Sequence, residues 1–292
     1  MRYKTISFLG KKFKFNRGIN SISFDDYQTF DILSSPLMSI SKIYDNSFEP
    51  FFDSDNTNFS TFPSEMSANF GFLDGSEETV NFEFCDCNSV NRNWLAKNKD
   101  FAKKIIEKEK NKPILAYYRK GNCVYQDSYG RVKKYDLINF YSEREYYPWK
   151  EWNKEYNFFS QLAINSKYKK DEYSCCHYQN IKKIIDEILN VTFSENFEFA
   201  VDCGRFVYYN NGRCYSVATE SYDLGITVGM IMQLYISCLS QKEPNFIGYP
   251  CDSSGIIICN YNFGERPSYS DKKWDYYKIF SKYFPNLQFI VC

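Results

Sequence analysis

The sequence predicts an α/β fold. Near the end of the chain, the apolar runs 255–259 (GIIIC) and 287–292 (LQFIVC) have the continuous hydrophobicity of strands buried on both faces. The segment between them, 270–284, has a helical pattern, so the three pieces predict a parallel strand–helix–strand unit. The amphipathic stretch 179–190 predicts a helix that packs on a core.

The N-terminal part of the chain predicts β-structure. Apolar and aromatic residues alternate over 1–24, with a turn signal at Gly18. The segment 43–80 is rich in Ser, Asn, Asp, Phe and Gly without periodicity, and we interpret it as a long surface segment in which short strands are allowed. The alternating stretch 79–87 predicts a strand.

The middle of the chain predicts a mixture of helices and one buried strand. A charged helix with a narrow apolar face is expected over 97–112, followed by the strand 113–118. The aromatic-rich segment 135–165 has an irregular helical pattern.

Between these elements and the terminal strands, the sequence predicts a hairpin and a buried helix. The alternating segment 197–218 is interrupted by Asn211 and Gly212, the residue pair that two-residue hairpin turns prefer. The mostly apolar stretch 224–240 predicts a helix inside the core.

These elements predict one domain over 1–292 with three parts. A β-rich lobe is expected over 1–92, a helical insert over about 93–195, and an α/β lobe over 196–292.

Composition excludes some classes of protein and leaves others open. The chain has 292 residues, 43% of them hydrophobic, which is enough for a sizeable core. Because 36 basic residues balance 36 acidic ones, no overall charge favours nucleic acid or an acidic membrane. The sequence lacks a long apolar span and a signal-peptide pattern, and it has 11 cysteines, so we expect a cytoplasmic protein with reduced thiols.

Five motifs resemble, in order and spacing, the ABC-type ATPases of bacterial anti-phage systems, such as the Septu and retron-associated ATPases. They are INSISFDDYQTFDIL (19–33), KPILAYYRK (112–120), ESYDLGITVGMIMQLY (220–235), GIIICNYNF (255–263) and FPNLQFIVC (284–292). The last is the most specific, because it nearly repeats the FPNxQFIV of the family. The resemblance covers most of the chain, and it implies an ABC-ATPase-like mixed sheet with helices on both faces and an inserted helical region.

The resemblance also implies that the phosphate-binding chemistry has been lost. A phosphate loop needs glycines for close backbone approach and a Lys for the β- and γ-phosphates. The corresponding stretch, 24–32, has neither. Phe30 stands where the Lys would be, and Asp31 stands where a metal-binding Ser would be.

The other nucleotide-site positions are equally altered. Of the family's signature loop only Asp223 remains, and Asn260 and Tyr261 replace the two acids that follow the catalytic strand. A Tyr is protonated near neutral pH and cannot replace a carboxylate that positions water. We therefore expect no catalytic residue, no cofactor and no metal. The alternative is that 255–259 is an ordinary buried strand ending in a loop.

The resemblance predicts a pseudo-ATPase that acts by protein–protein interaction, in a prokaryotic or phage-encoded defence or counter-defence complex. The expected partner is a second copy or an ATP-binding relative, and a nuclease is a further candidate. Phe24, Tyr27 and Tyr222 are the candidate interface residues, because they lie in loops where such ATPases meet their dimer mate.

Three other functions stay open at this stage. An enzyme of another class, such as a nuclease or a flavin oxidoreductase, is one, since 223–235 faintly resembles the buried helix of nitroreductases. A nucleic-acid-binding module is another, since the aromatic-rich stretch 141–159 could stack on bases. Cys85 and Cys87 with Cys175–His177 could ligate zinc, although their spacing is poor and reduced thiols are the simpler interpretation.

Overall fold

The described chain contains both β-strands and α-helices, which confirms the mixed α/β prediction. The first eight strands are β1 (Arg2–Phe8), β2 (Lys11–Lys14), β3 (Ile19–Ser21), β4 (Glu65–Gly71), β5 (Glu77–Glu83), β6 (Ile114–Arg119), β7 (Asn122–Gln126) and β8 (Val132–Asp136). Then follow α1 (Asn153–Ile164), a π-helical turn (Asn165–Lys169), α2 (Glu172–Phe193), β9 (Glu198–Asp202), β10 (Arg205–Asn210), β11 (Arg213–Ser216), α3 (Tyr222–Leu239), β12 (Gly255–Asn260), α4 (Lys273–Tyr283) and β13 (Leu287–Val291).

These elements belong to a computed structural model, which describes the following residues: 1–22, 33, 36–37, 40, 65–83, 104–105, 107–109, 113–119, 122–126, 132–136, 153–193, 197–202, 205–216, 222–260 and 273–291. The chain forms two compact units. The first comprises Met1–Lys134, Ser253–Tyr261 and Asn286–Cys292, and the second comprises Tyr135–Asp252 and Asn262–Pro285. The three-part division at 92 and 195 stays a prediction, and its middle stretch includes β6 to β8 as well as helices.

A six-stranded sheet forms one layer of the first unit, with the strand order β3-β13-β12-β6-β7-β8. Strand β12 is parallel to both of its neighbours, and Ile257 pairs with Phe289 of β13 and with Ala116 of β6. All five residues of β13 are buried, and Ile256, Ile257 and Ile258 are fully enclosed. The predicted pair of adjacent buried parallel strands is confirmed, and α4 is the connecting helix.

The second layer of this unit is an antiparallel sheet with the order β2-β1-β4-β5. Its chain reverses between β1 and β2 at Leu9 and Gly10, which both have a positive φ. The prediction that 43–80 lies at the surface is wrong for β4, because its residues Met66 and Phe70 are buried.

One hydrophobic core joins residues of both sheets of the first unit. Its larger members are Tyr3, Ile6, Phe8, Phe15, Leu33, Leu37, Ile40, Met66, Phe70, Phe72, Val80, Phe82, Ile105, Leu115, Ile256, Ile258 and Ile290. Because side chains alternate along a strand, Ile256 and Ile258 point from one face of β12 into this core.

Gln288 is a polar residue inside this core, and it links β13 to the antiparallel sheet. Its Oε1 accepts a hydrogen bond from the backbone N–H of Tyr3 at 2.8 Å. Its Nε2 donates to the carbonyl oxygen of Tyr3 at 2.9 Å and to that of Asn16 at 2.8 Å. The side-chain amide of Gln288 therefore pairs with the N–H and the carbonyl of Tyr3, as the backbone of a neighbouring strand would, and it connects β13 to the start of β1.

A second amide shapes the segment that leads from β2 into β3. The Oδ1 of Asn20 accepts from the N–H of Asn16 at 2.7 Å, and its Nδ2 donates to the carbonyl of Asn16 at 3.0 Å. Gly18 lies in the bend with φ +76°, as the predicted turn signal requires, and its carbonyl accepts from the N–H of Phe289 at 2.8 Å. These bonds place β3 parallel to β13.

The second unit contains the helices α1 to α4 and a three-stranded sheet with the order β11-β10-β9. Helix α2 extends the predicted amphipathic segment at both ends, and its buried residues are Ser174, His177, Ile181, Ile184, Ile185, Ile188, Leu189 and Thr192. The predicted hairpin turn is confirmed, because Asn211 and Gly212 both have positive φ between β10 and β11. Within the described ranges, no helix is both long enough and apolar enough to span a bilayer.

We expect Gly255→Ala to destabilise the protein strongly. A Cβ at this position would overlap the carbonyl oxygen of Ile114, with the C and N atoms of that residue within 2.9 Å. Backbone atoms of β6 would have to move, so the free energy of unfolding should fall by about 3 kcal/mol in urea denaturation. The matched control is Gly71→Ala, whose Cβ meets the flexible end of Lys4 at 3.0 Å, and it should change stability by less than about 1 kcal/mol. Equal losses in the two variants would contradict the close packing of β12 on β6.

We expect Gln288→Leu to lower the free energy of unfolding by about 3 kcal/mol, although Leu has a similar volume. The substitution leaves the buried N–H and carbonyl groups of Tyr3 without this partner, and each such loss costs about 1–3 kcal/mol. Gln179→Leu, on the exposed side of α2, is the control and should change stability by less than about 0.5 kcal/mol. A Gln288→Leu protein that melts like the parent would show that the link between the sheets is dispensable.

Candidate functional site

Three parallel strands of the first unit end side by side. Strand β3 ends at Ser21, β13 at Val291 and β12 at Asn260, and their order in the sheet is β3-β13-β12. Just beyond β3, the N–H of Ile22 donates to the carbonyl of Val291 at 2.9 Å. In open α/β sheets, ligands bind outside the carboxyl ends of the parallel strands. We call this edge, defined by Ser21, Val291 and Asn260, the carboxyl edge.

The structure locates only some of the residues that the sequence singled out. Asn260 is the last residue of β12 and pairs with Arg119 of β6, so it belongs to the carboxyl edge. Another five of these residues lie outside the described residues: Phe24, Tyr27, Phe30, Asp31 and Tyr261. In the sequence, the first four follow β3 and the fifth follows β12.

Tyr222 and Asp223 are the first two residues of α3, in the second unit. The signature-loop role that the resemblance implies for Asp223 stays a prediction.

His177, the only histidine of the chain, is fully buried on α2. Its Nε2 lies 2.8 Å from the carbonyl oxygen of Phe246, and its Nδ1 lies 2.7 Å from the hydroxyl of Tyr235. Because a carbonyl only accepts, Nε2 must carry the proton, and neutral Nδ1 accepts from the tyrosine. Both ring nitrogens are occupied, so neither has a lone pair free for a metal.

The zinc hypothesis gains no support from the cysteines that the structure describes. Cys175 bonds with Ser166, whose hydroxyl lies 3.3 Å from its Sγ, and Cys176 approaches the carbonyl of Gly248 at 3.6 Å. Cys85 and Cys87 lie outside the described residues. Among those that are described, no group of three or more His, Cys, Asp or Glu side chains could hold a metal ion.

A polar groove of about 490 Å³ lies along α2 and the end of α4, in the second unit. It is lined by Gln179, Asn180, Lys182, Lys183, Asp186, Glu187, Asn190, Lys282 and Tyr283. Lys182 bonds with Asp186 at 2.7 Å, and Lys282 bonds with both carboxylate oxygens of Glu187 at 2.8 Å. Most of its charged groups are thus already engaged with each other, which does not favour a ligand site.

The carboxylates of this groove have structural roles. The hydroxyl of Tyr283 also donates to Glu187, at 2.6 Å. Burial alone would raise the pKa of Glu187, but the hydrogen bonds from Lys282 and Tyr283 outweigh it and lower that pKa. Asp186 accepts the N–H of Phe199 at 2.6 Å and thereby holds the first residues of β9.

Comparison with known proteins assigns no relative. No protein-family model matches the chain, and no curated protein sequence matches it. The carboxyl edge and the five sequence motifs are therefore the two observations that bear on function.

The structural roles of two polar residues, Gln288 and Asn180, were not predicted from the sequence. Gln288 stands inside the motif FPNLQFIV, where a polar residue in an apolar run was a usable signal. Asn180 donates to the hydroxyl of Tyr235 and to the carbonyl of Gly248, both at 3.1 Å, and nothing in its local sequence indicates these contacts.

Proposed function

We propose that the chain is a non-catalytic, ATPase-like protein that works by binding another protein. The observation that carries this proposal is the carboxyl edge. The segments in which the resembled ATPases have their phosphate loop and their strand-end acids follow β3 and β12, and those strands end on either side of β13. The topology thus supports an ABC-ATPase-like arrangement, in which the two segments follow parallel strands that are separated by one strand, β13.

The residues of the first segment are unsuited to phosphate. The stretch 24–32 has no glycine and no Lys, and Asp25, Asp26 and Asp31 add negative charge. An anionic nucleotide would be repelled rather than cradled, because phosphate sites use backbone N–H groups and cations. Loss of nucleotide binding follows from the charge of the segment as well as from its missing motif.

The end of β12 lacks the groups for metal-assisted hydrolysis. Asn260 offers a neutral amide in place of a carboxylate, and Tyr261 offers a protonated phenol. Mg²⁺ at such sites is held by carboxylates together with substrate phosphates. Neither the metal nor the attacking water would have its usual protein ligand here, so we expect that the chain does not catalyse hydrolysis.

A protein partner suits the residues that replaced the motifs. Phe24, Tyr27 and Tyr222 can serve as aromatic anchors of an interface, and the acids beside them would select a basic surface. The partner that the resemblance favours is a second copy or an ATP-binding relative, which could bring a nuclease with it. The biological setting would be a defence or counter-defence complex of a prokaryote or phage.

We predict that the protein does not bind ATP productively. In isothermal titration calorimetry with Mg²⁺, the dissociation constant should be weaker than about 1 mM, which corresponds to about −4 kcal/mol. Titrations with Mg²⁺ alone and with ADP are the controls for binding of the metal or of the base. Micromolar binding of Mg²⁺–ATP would refute the proposal and would favour an enzymatic function instead.

We predict that the protein assembles with itself or with a partner, and that Tyr27→Ala and Tyr222→Ala weaken the assembly. A tyrosine that anchors an interface contributes about 2 kcal/mol, so each substitution should weaken association by about thirtyfold. Mass measurement in solution, alone and with proteins from the native host, reports the effect.

The control for these variants is Tyr168→Ala. Tyr168 is 73% exposed on the π-helical turn, and the resemblance gives it no place in an interface. All three variants should melt like the parent protein. Two results would count against the proposed interface. One is a strictly monomeric protein that binds no protein from its native host, and the other is an equal effect of the three substitutions.

A further inference from the structure

The segment that follows α3 is held to α2 by a small buried network. His177 donates to the carbonyl of Phe246 at 2.8 Å, and Asn180 donates to the carbonyl of Gly248 at 3.1 Å. The hydroxyl of Tyr235 lies between these two side chains, 2.7 Å from the His177 ring and 3.1 Å from the Asn180 amide. Two side chains of α2 thus donate hydrogen bonds to the carbonyls of Phe246 and Gly248, and the thiol of Cys176 also approaches the latter at 3.6 Å. We call this set of contacts the 246–248 latch.

The latch is built for a neutral histidine. Tyr235 donates its single proton to Nδ1 of His177 and accepts from Asn180. A doubly protonated imidazole would donate from Nδ1 as well, so the Tyr235 hydroxyl would face two donors and its own proton would lose its acceptor. Protonation thus exchanges a satisfied hydrogen bond for an unsatisfied one in a buried position, which is unfavourable.

No compensating charge offsets this cost in the surroundings of the ring that the structure describes. The titratable groups that face His177 are the phenols of Tyr173, with ring centroids 4.4 Å apart, and of Tyr235. The thiols of Cys176 and Cys251 are close enough to Tyr235 to act on its ionisation. The two phenols and the Cys251 thiol are neutral near pH 7, because burial raises the pKa of each. Burial lowers the pKa of His177, and the carbonyl of Phe246 acts in the opposite direction with a smaller effect.

We propose that His177 makes the 246–248 latch sensitive to pH, so that mild acid releases the segment from α2 while the rest of the second unit stays folded. The segment lies between α3 and β12 and carries Ile247 and Tyr249, which are already 49% and 41% exposed. Its release would change the apolar surface that this part of the protein presents.

The direction of the pH effect follows from linkage. The closed latch has a His177 pKa below the ordinary value of 6.5, whereas an opened latch exposes the ring to water and restores that value. The latch is therefore fully stable above about pH 6.5, and it weakens as the pH falls through that value towards the pKa of the closed state. If the closed state binds no proton, opening becomes about tenfold more favourable between about pH 7.5 and about pH 5.5.

The test combines two measurements on the full chain, prepared without a histidine tag. The chain has one histidine, so one imidazole signal in the NMR spectrum reports its titration and its tautomer. We expect the Nε2–H tautomer at neutral pH and an apparent pKa below 6.5. Amide hydrogen exchange of 244–250, corrected for intrinsic rates, should lose up to about tenfold protection between about pH 7.5 and about pH 5.5. The strand 255–259 should keep its protection over the same range.

Two variants separate titration from simple loosening of the segment. Asn180→Ala removes a latch bond that does not titrate, so it should lower protection at both pH values and leave the pH dependence intact. His177→Gln keeps an amide donor without a titrating group, so the pH dependence should disappear. A histidine that titrates at 6.5 or above, or segment protection that is independent of pH in the parent protein, would overturn the proposal even if a variant failed to fold.

Discussion

The position of the carboxyl edge depends on the side-chain amide of Gln288. It makes three hydrogen bonds, two with Tyr3 and one with Asn16, and it joins β13 to the antiparallel sheet inside an apolar core. Apolar contacts alone are not directional, so they would hold the two sheets together without specifying how they align. A buried amide is stable there only in the arrangement in which its partners are in place. It therefore determines the alignment of the sheets.

This alignment has a consequence for the site. Asn16 begins the bend that leads the chain from β2 into β3, and Asn20 closes that bend with its own amide. Because β3 is only three residues long, its ladder with β13 is too short to fix its position strongly. The amides of Gln288 and Asn20 supply the missing specificity. They determine that the segment after β3 begins beside the ends of β13 and β12.

The sequence predicted those elements whose hydrophobic pattern is strong and local. Continuous apolar runs identified β12 and β13, and the pair Asn211–Gly212 identified the turn after β10. The position and burial of β4 were not predicted, because its alternating buried residues, Met66, Ala68 and Phe70, are interleaved with Ser and Asn in a segment whose composition resembles a loop. Gln288 stands out as a polar residue in an apolar run, but its partner could not be derived, since Tyr3 is 285 positions away and no local pattern encodes such a contact. The altered residues of the candidate site are visible in the sequence, whereas the order of the strand ends required the topology.

The central claim is that the carboxyl edge has kept its architecture, has lost its nucleotide and has become a surface for a protein. Hydrogen exchange over 19–32, 220–225 and 255–267 tests this most directly, measured for the isolated chain, with Mg²⁺–ATP, and in the assembled form. The account predicts that ATP leaves exchange in all three segments unchanged, while assembly slows it in 24–32 or 220–225. Slower exchange of 19–32 and 255–267 with ATP, or an assembly that leaves 24–32 and 220–225 unprotected, would contradict it.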